Sequence, residues 1–468
     1  MHDAQGLRGF LDLLRQTEDE GIAVVERSVK TEFELGTVVK KLENVDDRVV
    51  LFQNVEGHDM PVVINVFGTK ARTALALGMD RDSTAQQTVA EFASRLDQRG
   101  ATRKCAQGPV QEKVIKSASI DLGTLPVGVH APEQGGKYIN SGVFVVRDAS
   151  TGALNGGIYR LMVQGKDTLT VSVDPGHDLG RIISRGKQRA EPVPFAIIIG
   201  ADPAVYLASQ AKVPMSRDLY DVVGALTGAT VDLVECVSND LLVPPSAEIV
   251  LEGHIVPGET AAEGPYGEFS YYYGSDPWAT LCRIDAVTYR SDPIYMDLHP
   301  VHTEHRNLWL HPGREASLLA KLQSQVSDVT AAHLPVDGAG MVCVISIDKW
   351  HNGDSKRALM IAMASDVFIK HAVIVNDDVD ITDPKKVLWA LATRFQADRD
   401  IVLVPGVRGY AEDPSGYYDG DESTGKLTTK IGYDATLPAA EDVATPADIL
   451  PEPYAEIDVT DYVTNPLR

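Results

Sequence analysis

Two glutamates five residues apart carry the clearest chemical signal in the chain. Glu263 and Glu268 flank a Gly-Pro pair in the segment of residues 262–270. Because Pro265 removes a backbone donor and the glycines relax φ, the segment is predicted to be a tight loop between strands. Two carboxylates in one cavity tend to differ in pKa, so one can transfer a proton while the other holds charge. A surface turn that carries two acids is the alternative interpretation.

An amide and a guanidinium form a second pair that could bind a ligand. Asn155 and Arg160 stand five residues apart, near the start of a predicted strand. Arginine offers a planar fork that matches a carboxylate and keeps its charge when water is removed. In so acidic a chain, Arg160 is a candidate for the local positive group that an acid substrate needs. A turn followed by a surface arginine is the plainer alternative.

Three histidines at intervals of three residues invite a metal-site interpretation. They are His299, His302 and His305, with Arg306 following. Steps of three drift around a helix, and the sequence contains no H-E-x-x-H pattern. The spacing alone therefore predicts ordinary loop packing.

Composition limits the classes of partner. The 468 residues are 44% hydrophobic and 23% charged, which is typical of a globular protein of two or three domains. A formal net charge of −23 argues against binding nucleic acid or an anionic membrane through the general surface. The four cysteines are scattered, so neither a disulfide framework nor a thiolate zinc site is indicated. The acidic first 20 residues do not resemble a signal peptide, and we expect a cytoplasmic protein.

The hydrophobic pattern divides the chain into three folded regions and a tail. Residues 1–109 alternate helix-period and strand-period segments, which predicts an α/β domain without chemical motifs. Residues 110–312 contain short β-branched runs separated by Gly, Pro and Asp, which predicts a mainly β domain of barrel type. Residues 313–440 return to an α/β pattern, and residues 441–468 are predicted to be a tail that docks elsewhere.

Two details are predicted within the third region. Asp383 is placed to cap a helix whose first turn contains Pro384. The following stretch of residues 407–436 is polar and rich in Gly, Asp and Tyr, so it is predicted to be a long surface segment.

A continuous run supplies a far more specific signal than these pairs. Residues 243–254 read VPPSAEIVLEGH and lead into residues 258–268, which read GETAAEGPYGE. This run closely resembles the motif VPA-x-EIVLEG…EGP-x-GE of the UbiD family of prenylated-FMN-dependent decarboxylases. Similarity at residues 155–160, His177 and residues 376–394 extends the resemblance over most of the chain. It implies an α+β multidomain fold with a central split β-barrel that binds flavin, flanked by N-terminal and C-terminal α/β domains.

The resemblance also implies roles for individual residues. Arg160 and Glu263 would position the substrate carboxylate, and Glu268 would donate a proton after CO₂ leaves. The cofactor would contact Asn155, Ile158, Tyr159, Arg160, His177, Pro214 and Lys370. A second polar group on the substrate would meet His299, His302, His305 and Arg306.

The family's metal site shows one departure in this chain. Asn155 and His177 match two ligands, but Leu219 stands where the family has a glutamate, and leucine cannot bind a metal. With one residue inserted, Asp218 would replace that glutamate, and Asp221 is a second candidate. Mn²⁺ and Mg²⁺ accept carboxylate and amide oxygens, so an aspartate is chemically suitable. K⁺ is a further cation that the resemblance implies.

The predicted function is reversible, non-oxidative decarboxylation of an aromatic, heteroaromatic or α,β-unsaturated carboxylic acid. No side chain can delocalise the carbanion that CO₂ loss leaves, so prenylated FMN is the expected electron sink. A separate flavin prenyltransferase would supply that cofactor, and residues 313–440 would build a homodimer or larger homo-oligomer. Two alternatives remain open: a hydrolase that uses Glu263 and Glu268, and a catalytically decayed flavin-binding protein, which Leu219 favours.

Overall fold

The computed structural model describes residues 6–17, 21–43, 45–420 and 425–438, so the tail predicted for residues 441–468 lies outside the described residues. The helices are α1 (Leu7–Arg15), α2 (Glu34–Leu42), α3 (Lys70–Ala76), α4 (Ala85–Leu96), α5 (Asp178–Arg189), α6 (Pro203–Gln210), α7 (Leu219–Thr227), α8 (Thr303–Leu310), α9 (Gly313–Gln323), α10 (Asp354–Ser365) and α11 (Pro384–Arg394). In the described ranges no helix has the length and apolarity needed to cross a bilayer.

The strands form four sheets. They are β1 (Ile22–Val25), β2 (Val49–Phe52), β3 (Val62–Ile64), β4 (Thr102–Cys105), β5 (Lys113–Lys116), β6 (Tyr138–Ile139), β7 (Val143–Arg147), β8 (Leu154–Ile158), β9 (Leu161–Val163), β10 (Thr168–Val171), β11 (Val193–Ile199), β12 (Val231–Glu235), β13 (Leu242–Val243), β14 (Ile249–Gly267), β15 (Tyr273–Tyr289), β16 (Tyr295–Met296), β17 (Val329–His333), β18 (Val342–Ile347), β19 (His371–Asn376), β20 (Ile401–Arg408) and β21 (Leu427–Ala435).

A curled sheet of nine strands forms the middle of the chain. Its order is β6-β9-β10-β15-β14-β11-β7-β8, and β5 pairs with the C-terminal part of β15. Strand β11 lies at the core, where residues 195–199 are buried between β7 and β14. Phe195 stacks on Phe144 of β7 with ring centroids 4.8 Å apart. This sheet, flanked by helices and by smaller sheets, confirms the α+β fold class.

Strands β14 and β15 form a long hairpin that carries both predicted acids. The pairing register shifts on either side of Glu263, which lies opposite Asp276 within the ladder. The prediction of a tight loop at residues 262–270 is therefore wrong for Glu263, because bulges in β14 accommodate the Gly-Pro pair. The chain turns only after Gly267, where the Tyr271 N–H donates to the Glu268 carbonyl at 2.9 Å.

The N-terminal sheet is completed from far along the chain. Its order is β1-β2-β3-β16, and Tyr295 and Met296 of β16 pair in parallel with β3. Just beyond, the Glu304 side chain accepts hydrogen bonds from the backbone N–H groups of Asn65 and Phe67 at 2.8 and 3.1 Å. The regions on both sides of residue 109 are thus joined by pairing, and the domain boundaries stay predictions.

The C-terminal region contains a five-stranded sheet in the order β17-β18-β19-β21-β20. Helix α11 begins as predicted, since Asp383 accepts a hydrogen bond from the Lys385 N–H at 2.8 Å. The predicted surface segment of residues 407–436 is wrong, because β21 lies inside the sheet. It buries polar residues such as Lys430, whose ammonium donates to the Met363 carbonyl at 2.6 Å.

Candidate active site

Arg160 is the centre of the candidate active site. It lies between β8 and β9, so two strands of the curled sheet hold its backbone. Its Nη2 is 2.9 Å from Glu263 Oε2 and donates to Ser172 Oγ at 3.2 Å. Its Nη1 donates to Glu268 Oε1, and the guanidinium lies 5.5 Å from the centroid of the Tyr266 ring. One largely buried cation therefore joins the two acids that the sequence singled out.

Glu263 is the inner of the two carboxylates. Its side chain is fully buried and accepts a hydrogen bond from the Tyr138 hydroxyl at 2.6 Å. Burial raises the pKa of Glu263, although the charge of Arg160 opposes this shift. Glu268 lines the cavity and Glu263 does not, so Glu263 is linked to the cavity wall by its contact with Arg160.

Glu268 is the carboxylate that faces the cavity. It sits at the end of the hairpin, where its N–H donates to the Tyr272 carbonyl at 2.9 Å. A Cβ atom on Gly274 would lie 3.1 Å from both Arg160 Nη1 and Glu268 Oε1, so a glycine at this position leaves room for the ion pair. The hairpin thus places Glu268 at the cavity wall, where it is already paired with Arg160.

The cavity beside these residues has a volume of about 730 Å³. That lies within the range of about 300–1,000 Å³ that is usual for small-molecule and cofactor sites. Its wall contains Asn155, Ile158, Tyr159, Arg160, His177 and Pro214. Lys370 is not part of this wall. Its ammonium donates instead to Asp413 Oδ2 at 2.7 Å. The structure gathers all the predicted cofactor residues except Lys370, whose predicted contact it does not support.

The start of α5 brings a helix N-terminus and an imidazole to one wall of the cavity, close to an ammonium group. His177 precedes the first residue of the helix and lines the cavity with Lys212. Burial, with a smaller effect from Lys212, lowers the pKa of His177. A helix N-terminus and a neighbouring ammonium both favour an anion. This wall suits the phosphate of a nucleotide cofactor.

Asp218 is not available as a metal ligand, contrary to the prediction. It caps α7, and its oxygens accept hydrogen bonds from Tyr220 N at 2.9 Å and Leu154 N at 2.8 Å. Leu219, at the position of the missing glutamate, packs against Gly156. The carboxylate of the cavity wall nearest to Asn155 in the hydrogen-bond network is Asp178, which lies 3.5 Å from the Asn155 amide nitrogen. Within the described ranges no three His, Cys, Asp or Glu side chains form a metal-binding group.

The C-terminal region closes the cavity with aromatic rings. Tyr410 lies 5.8 Å from Phe269 and 4.2 Å from Phe368, measured between ring centroids. Trp309 of α8 packs against Phe269 with ring centroids 4.4 Å apart and the ring planes tilted by 45°. All four rings line the cavity beside Glu268, so they form an apolar wall that can contact an unsaturated substrate.

Only one member of the histidine group reaches this cavity. His305 lines it, whereas His299, His302 and Arg306 lie outside the wall. His302 caps α8 by accepting the Glu304 N–H at 3.0 Å. Burial lowers the pKa of His302 to about 4 and holds that of His299 well below its usual range. Of these four residues His305 alone lies in the cavity wall, so the structure does not support a substrate contact for the other three.

Sequence reasoning missed several groups that complete the site. Tyr138 of β6 contacts the inner carboxylate, Ser172 just after β10 contacts Arg160, and Glu412 lies 3.9 Å from Arg160. No local pattern marks them, because each comes from a different part of the chain. Tyr266, by contrast, stands between the two predicted acids.

Comparisons with known proteins agree over nearly the whole chain. Three family models match in order: the N-terminal domain of 3-octaprenyl-4-hydroxybenzoate carboxy-lyase over residues 13–92, its Rift-related domain over residues 102–302, and its C-terminal domain over residues 309–435. The anhydromevalonate phosphate decarboxylase of Methanothermobacter thermautotrophicus is 33% identical over 93% of this chain and 97% of its own length.

Solved structures show the same similarity. The UbiD-class enzyme HmfF from Pelotomaculum thermopropionicum, in complex with FMN, has a TM-score of 0.90 and 33% identity, covering 98% of this chain and 100% of that one. An evolved dimeric form of HmfF, in complex with prFMN, has a TM-score of 0.86 and 31% identity over the same shares. With three family models and full-length relatives in agreement, this chain belongs to the UbiD family of carboxy-lyases and is a decarboxylase.

Proposed function

We propose that this chain reversibly and non-oxidatively decarboxylates an aromatic, heteroaromatic or α,β-unsaturated carboxylic acid with the help of prenylated FMN. The observation that carries the proposal is Arg160 held between Glu263 and Glu268 beside a cofactor-sized cavity. The bound flavin would supply the electron sink that no side chain can provide. The FMN and prFMN complexes of HmfF support this choice of cofactor.

Arg160 receives the substrate carboxylate. Its Nε–H has no hydrogen-bond partner among the described residues, so this buried guanidinium retains a free donor. Glu263 and Tyr138 hold Arg160 in place from the side away from the cavity. Because these partners are buried, the guanidinium keeps its orientation as the substrate enters.

Glu268 donates the proton that replaces CO₂. It lines the cavity, whereas Glu263 does not, so it is the acid within reach of a substrate carbon. The proton passes from the Glu268 carboxyl to the carbon that has lost CO₂, and Arg160 then stabilises the carboxylate that remains. In the carboxylation direction Glu268 accepts that proton.

The cofactor would lie along the wall formed by β8, the start of α5 and Pro214. A divalent cation, Mn²⁺ or Mg²⁺, would be held by Asn155, His177 and Asp178, because these residues supply amide, imidazole and carboxylate donors on one wall. This set replaces the one that contained Asp218. K⁺ stays a prediction without assigned ligands.

The cofactor is expected to come from a separate flavin prenyltransferase, because no part of the chain resembles a prenyl-transfer site. Activity should therefore depend on co-expression with such an enzyme. Full activity in protein from cells that lack any flavin prenyltransferase would contradict this part of the proposal.

The chain is also expected to form a homo-oligomer through its C-terminal region. Leu388 and Trp389 of α11 and Leu403 of β20 are exposed there. The evolved dimeric form of the related HmfF supports self-association. A monomeric mass at micromolar concentration, measured by light scattering, would count against it.

The direct test is CO₂ release by the flavin-loaded enzyme. Protein co-expressed with a flavin prenyltransferase should be assayed with benzoic, furoic, cinnamic and crotonic acid derivatives and with anhydromevalonate phosphate. Acid-dependent CO₂ release is expected for at least one class. Bound flavin without turnover of any acid would favour a decayed flavin-binding protein, and a colourless protein that cleaves glycosides would favour a hydrolase.

A further inference from the structure

The C-terminal region brings a third carboxylate to Arg160. Glu412 lies between β20 and β21, and its Oε1 is 3.9 Å from Arg160 Nη1. Glu412 lines the cavity together with Glu268. It therefore stands on the side of Arg160 from which a substrate must approach.

Arg160 holds Glu412 less firmly than the other two carboxylates, and the Tyr410 side chain is a further neighbour of Glu412. Glu263 and Glu268 are both in hydrogen-bond contact with Arg160, and their side chains are 0% and 7% exposed. The Glu412 side chain is 24% exposed, and its buried Oε2 has no hydrogen-bond partner in the part of the chain that the structure describes. An unsatisfied carboxylate oxygen is unfavourable, so Glu412 is the member of the group that is most easily displaced.

Charge favours that displacement. Glu268 must carry a proton in order to donate it, so Glu263 and Glu412 leave one guanidinium facing two negative charges. A substrate carboxylate would add a third in a site that is largely removed from water, where like charges repel strongly. An acid takes its place beside Arg160 more readily when one of these carboxylates withdraws.

We propose that Glu412 occupies the substrate-carboxylate position beside Arg160 in the free enzyme and that an acid substrate binds by displacing it. Glu412 is then a specificity-determining residue that competes with carboxylates and leaves neutral analogues unaffected. The inference rests on the proposed function, which makes Arg160 the receptor for the substrate carboxylate.

The contacts around Glu412 allow its side chain to move while its backbone stays in place. Before it, Arg408 pairs with Asp174 at 3.0 Å. After it, Asp413 pairs with Lys370 at 2.7 Å. Displacement therefore needs a side-chain rotation, not the loss of the whole segment.

The test compares acids with matched neutral amides. Full-length protein carrying its flavin should be titrated with benzoate, benzamide, crotonate and crotonamide, and binding followed by the change in flavin absorbance. Glu412→Gln removes the charge at nearly constant size. We expect it to tighten binding of the two carboxylates by about tenfold, since removing one like-charge contact changes affinity on that order, and to leave amide binding unchanged. Asp419→Asn, an exposed acid in the same segment, is the control and should change neither.

Unchanged or weaker carboxylate binding by Glu412→Gln would overturn the inference. Equal gains for acids and amides would also overturn it, because they would indicate a larger cavity instead of a lost charge. If Glu412→Gln fails to fold, Glu412→Asp carries the same test, because its shorter side chain withdraws the carboxylate from Arg160 and should also tighten acid binding. The readout needs no turnover, so an enzyme that binds acids as expected but releases no CO₂ would sink the proposed function alone.

Discussion

Two buried charged clusters in this molecule balance their charges in opposite ways. In the Arg160 cluster, one guanidinium faces an excess of carboxylates. In the Glu315 cluster, one carboxylate has an excess of donors: Oε2 lies 2.7 Å from His311 Nδ1, while Oε1 lies 2.6 Å from His333 Nδ1 and accepts the Leu334 N–H at 2.8 Å. The second cluster ties α9 to β17 and has no contact with the cavity.

The pKa values of Glu263 and Glu315, one acid from each cluster, are shifted in opposite directions. Burial raises the pKa of Glu263, and the charge of Arg160 opposes this rise only in part. Burial acts to raise the pKa of Glu315 too, but His311 and His333 hold it well below its usual range. Both oxygens of Glu315 have hydrogen-bond partners, so this cluster stabilises the fold. The Arg160 cluster has excess negative charge and unpartnered polar atoms, which favours the binding of a ligand.

Replacing Glu268 should have the largest effect. Glu268→Gln keeps the size of the side chain and its contact with Arg160 but cannot donate a carboxylic proton. We expect turnover to fall by about 10²–10⁴-fold, the usual contribution of a positioned general acid, with flavin content unchanged. CO₂ release and flavin absorbance of the purified variant measure both quantities.

Glu259→Gln is the matched control for that variant. Glu259 lies on β14, the strand that ends just before Glu268, but it pairs with Arg283 at the surface, so its loss should leave turnover unchanged. A Glu268→Gln enzyme with intact flavin and near wild-type turnover would remove this residue from the mechanism.

Removing Arg160 should have the next largest effect. Arg160→Ala takes away the carboxylate receptor and leaves Glu263 buried without its cation, so we expect kcat/KM to fall by about 10²-fold, mainly through KM. Arg283→Ala removes a surface arginine and should be neutral. Steady-state kinetics with an acid that the wild-type enzyme decarboxylates measure kcat and KM for both variants. An unchanged KM for Arg160→Ala would contradict its role as carboxylate receptor.

Breaking the Glu315 cluster should affect stability instead of turnover. Glu315→Gln is expected to lower the free energy of unfolding by about 3 kcal/mol at pH 7, because it removes the charge that two buried imidazoles surround. Flavin content and turnover of the folded enzyme should be preserved. Urea denaturation monitored by circular dichroism gives the comparison.

The sign of the pH dependence follows from the lowered pKa of Glu315. Its contribution is present above the unfolded pKa of about 4.3 and is lost as the pH falls from there towards the folded value. The difference in unfolding free energy between wild type and Glu315→Gln should therefore shrink below about pH 4. A difference that grows on acidification would show that this carboxylate is not held ionised.

The smallest predicted effect comes from replacing Asp178 in the cavity wall, and Asp218, which caps α7, is the comparison. Asp178→Asn should lower flavin retention several-fold in protein purified with Mn²⁺, because a cation ligand is weakened. Asp218→Asn should leave retention within about twofold, since asparagine also caps helices well. Flavin and metal content after gel filtration measure both, and stronger flavin retention in Asp178→Asn would indicate that no cation sits between Asp178 and the phosphate.

Local sequence signals predicted those parts of the structure whose causes are local. Asp383 and Pro384 start α11 because capping depends on a few neighbouring residues. Asp218 has the same local pattern, an aspartate before an apolar helix. That pattern predicts a helix cap, which is the role Asp218 has in the structure. The family-like run singled out Glu263 and Glu268, and both contact Arg160 even though Glu263 lies in a strand.

Contacts between distant segments could not be predicted in this way. Glu412 is roughly 250 residues from Arg160, and only the docking of the C-terminal region brings them together. Strand β21 was not predicted, because it buries polar side chains such as Lys430 and Asp434. Its hydropathy therefore resembles that of a surface segment. In both cases tertiary partners, not local preference, decide the structure.

The pairing of β3 with β16 has a consequence for synthesis on the ribosome. Strand β3 ends at Ile64, but its parallel partner at Tyr295 and Met296 is made roughly 230 residues later. At about 5–20 residues per second, β3 waits on the order of ten to fifty seconds with an open edge. The N-terminal sheet of the nascent chain is therefore exposed to edge-to-edge association until most of the curled sheet has emerged.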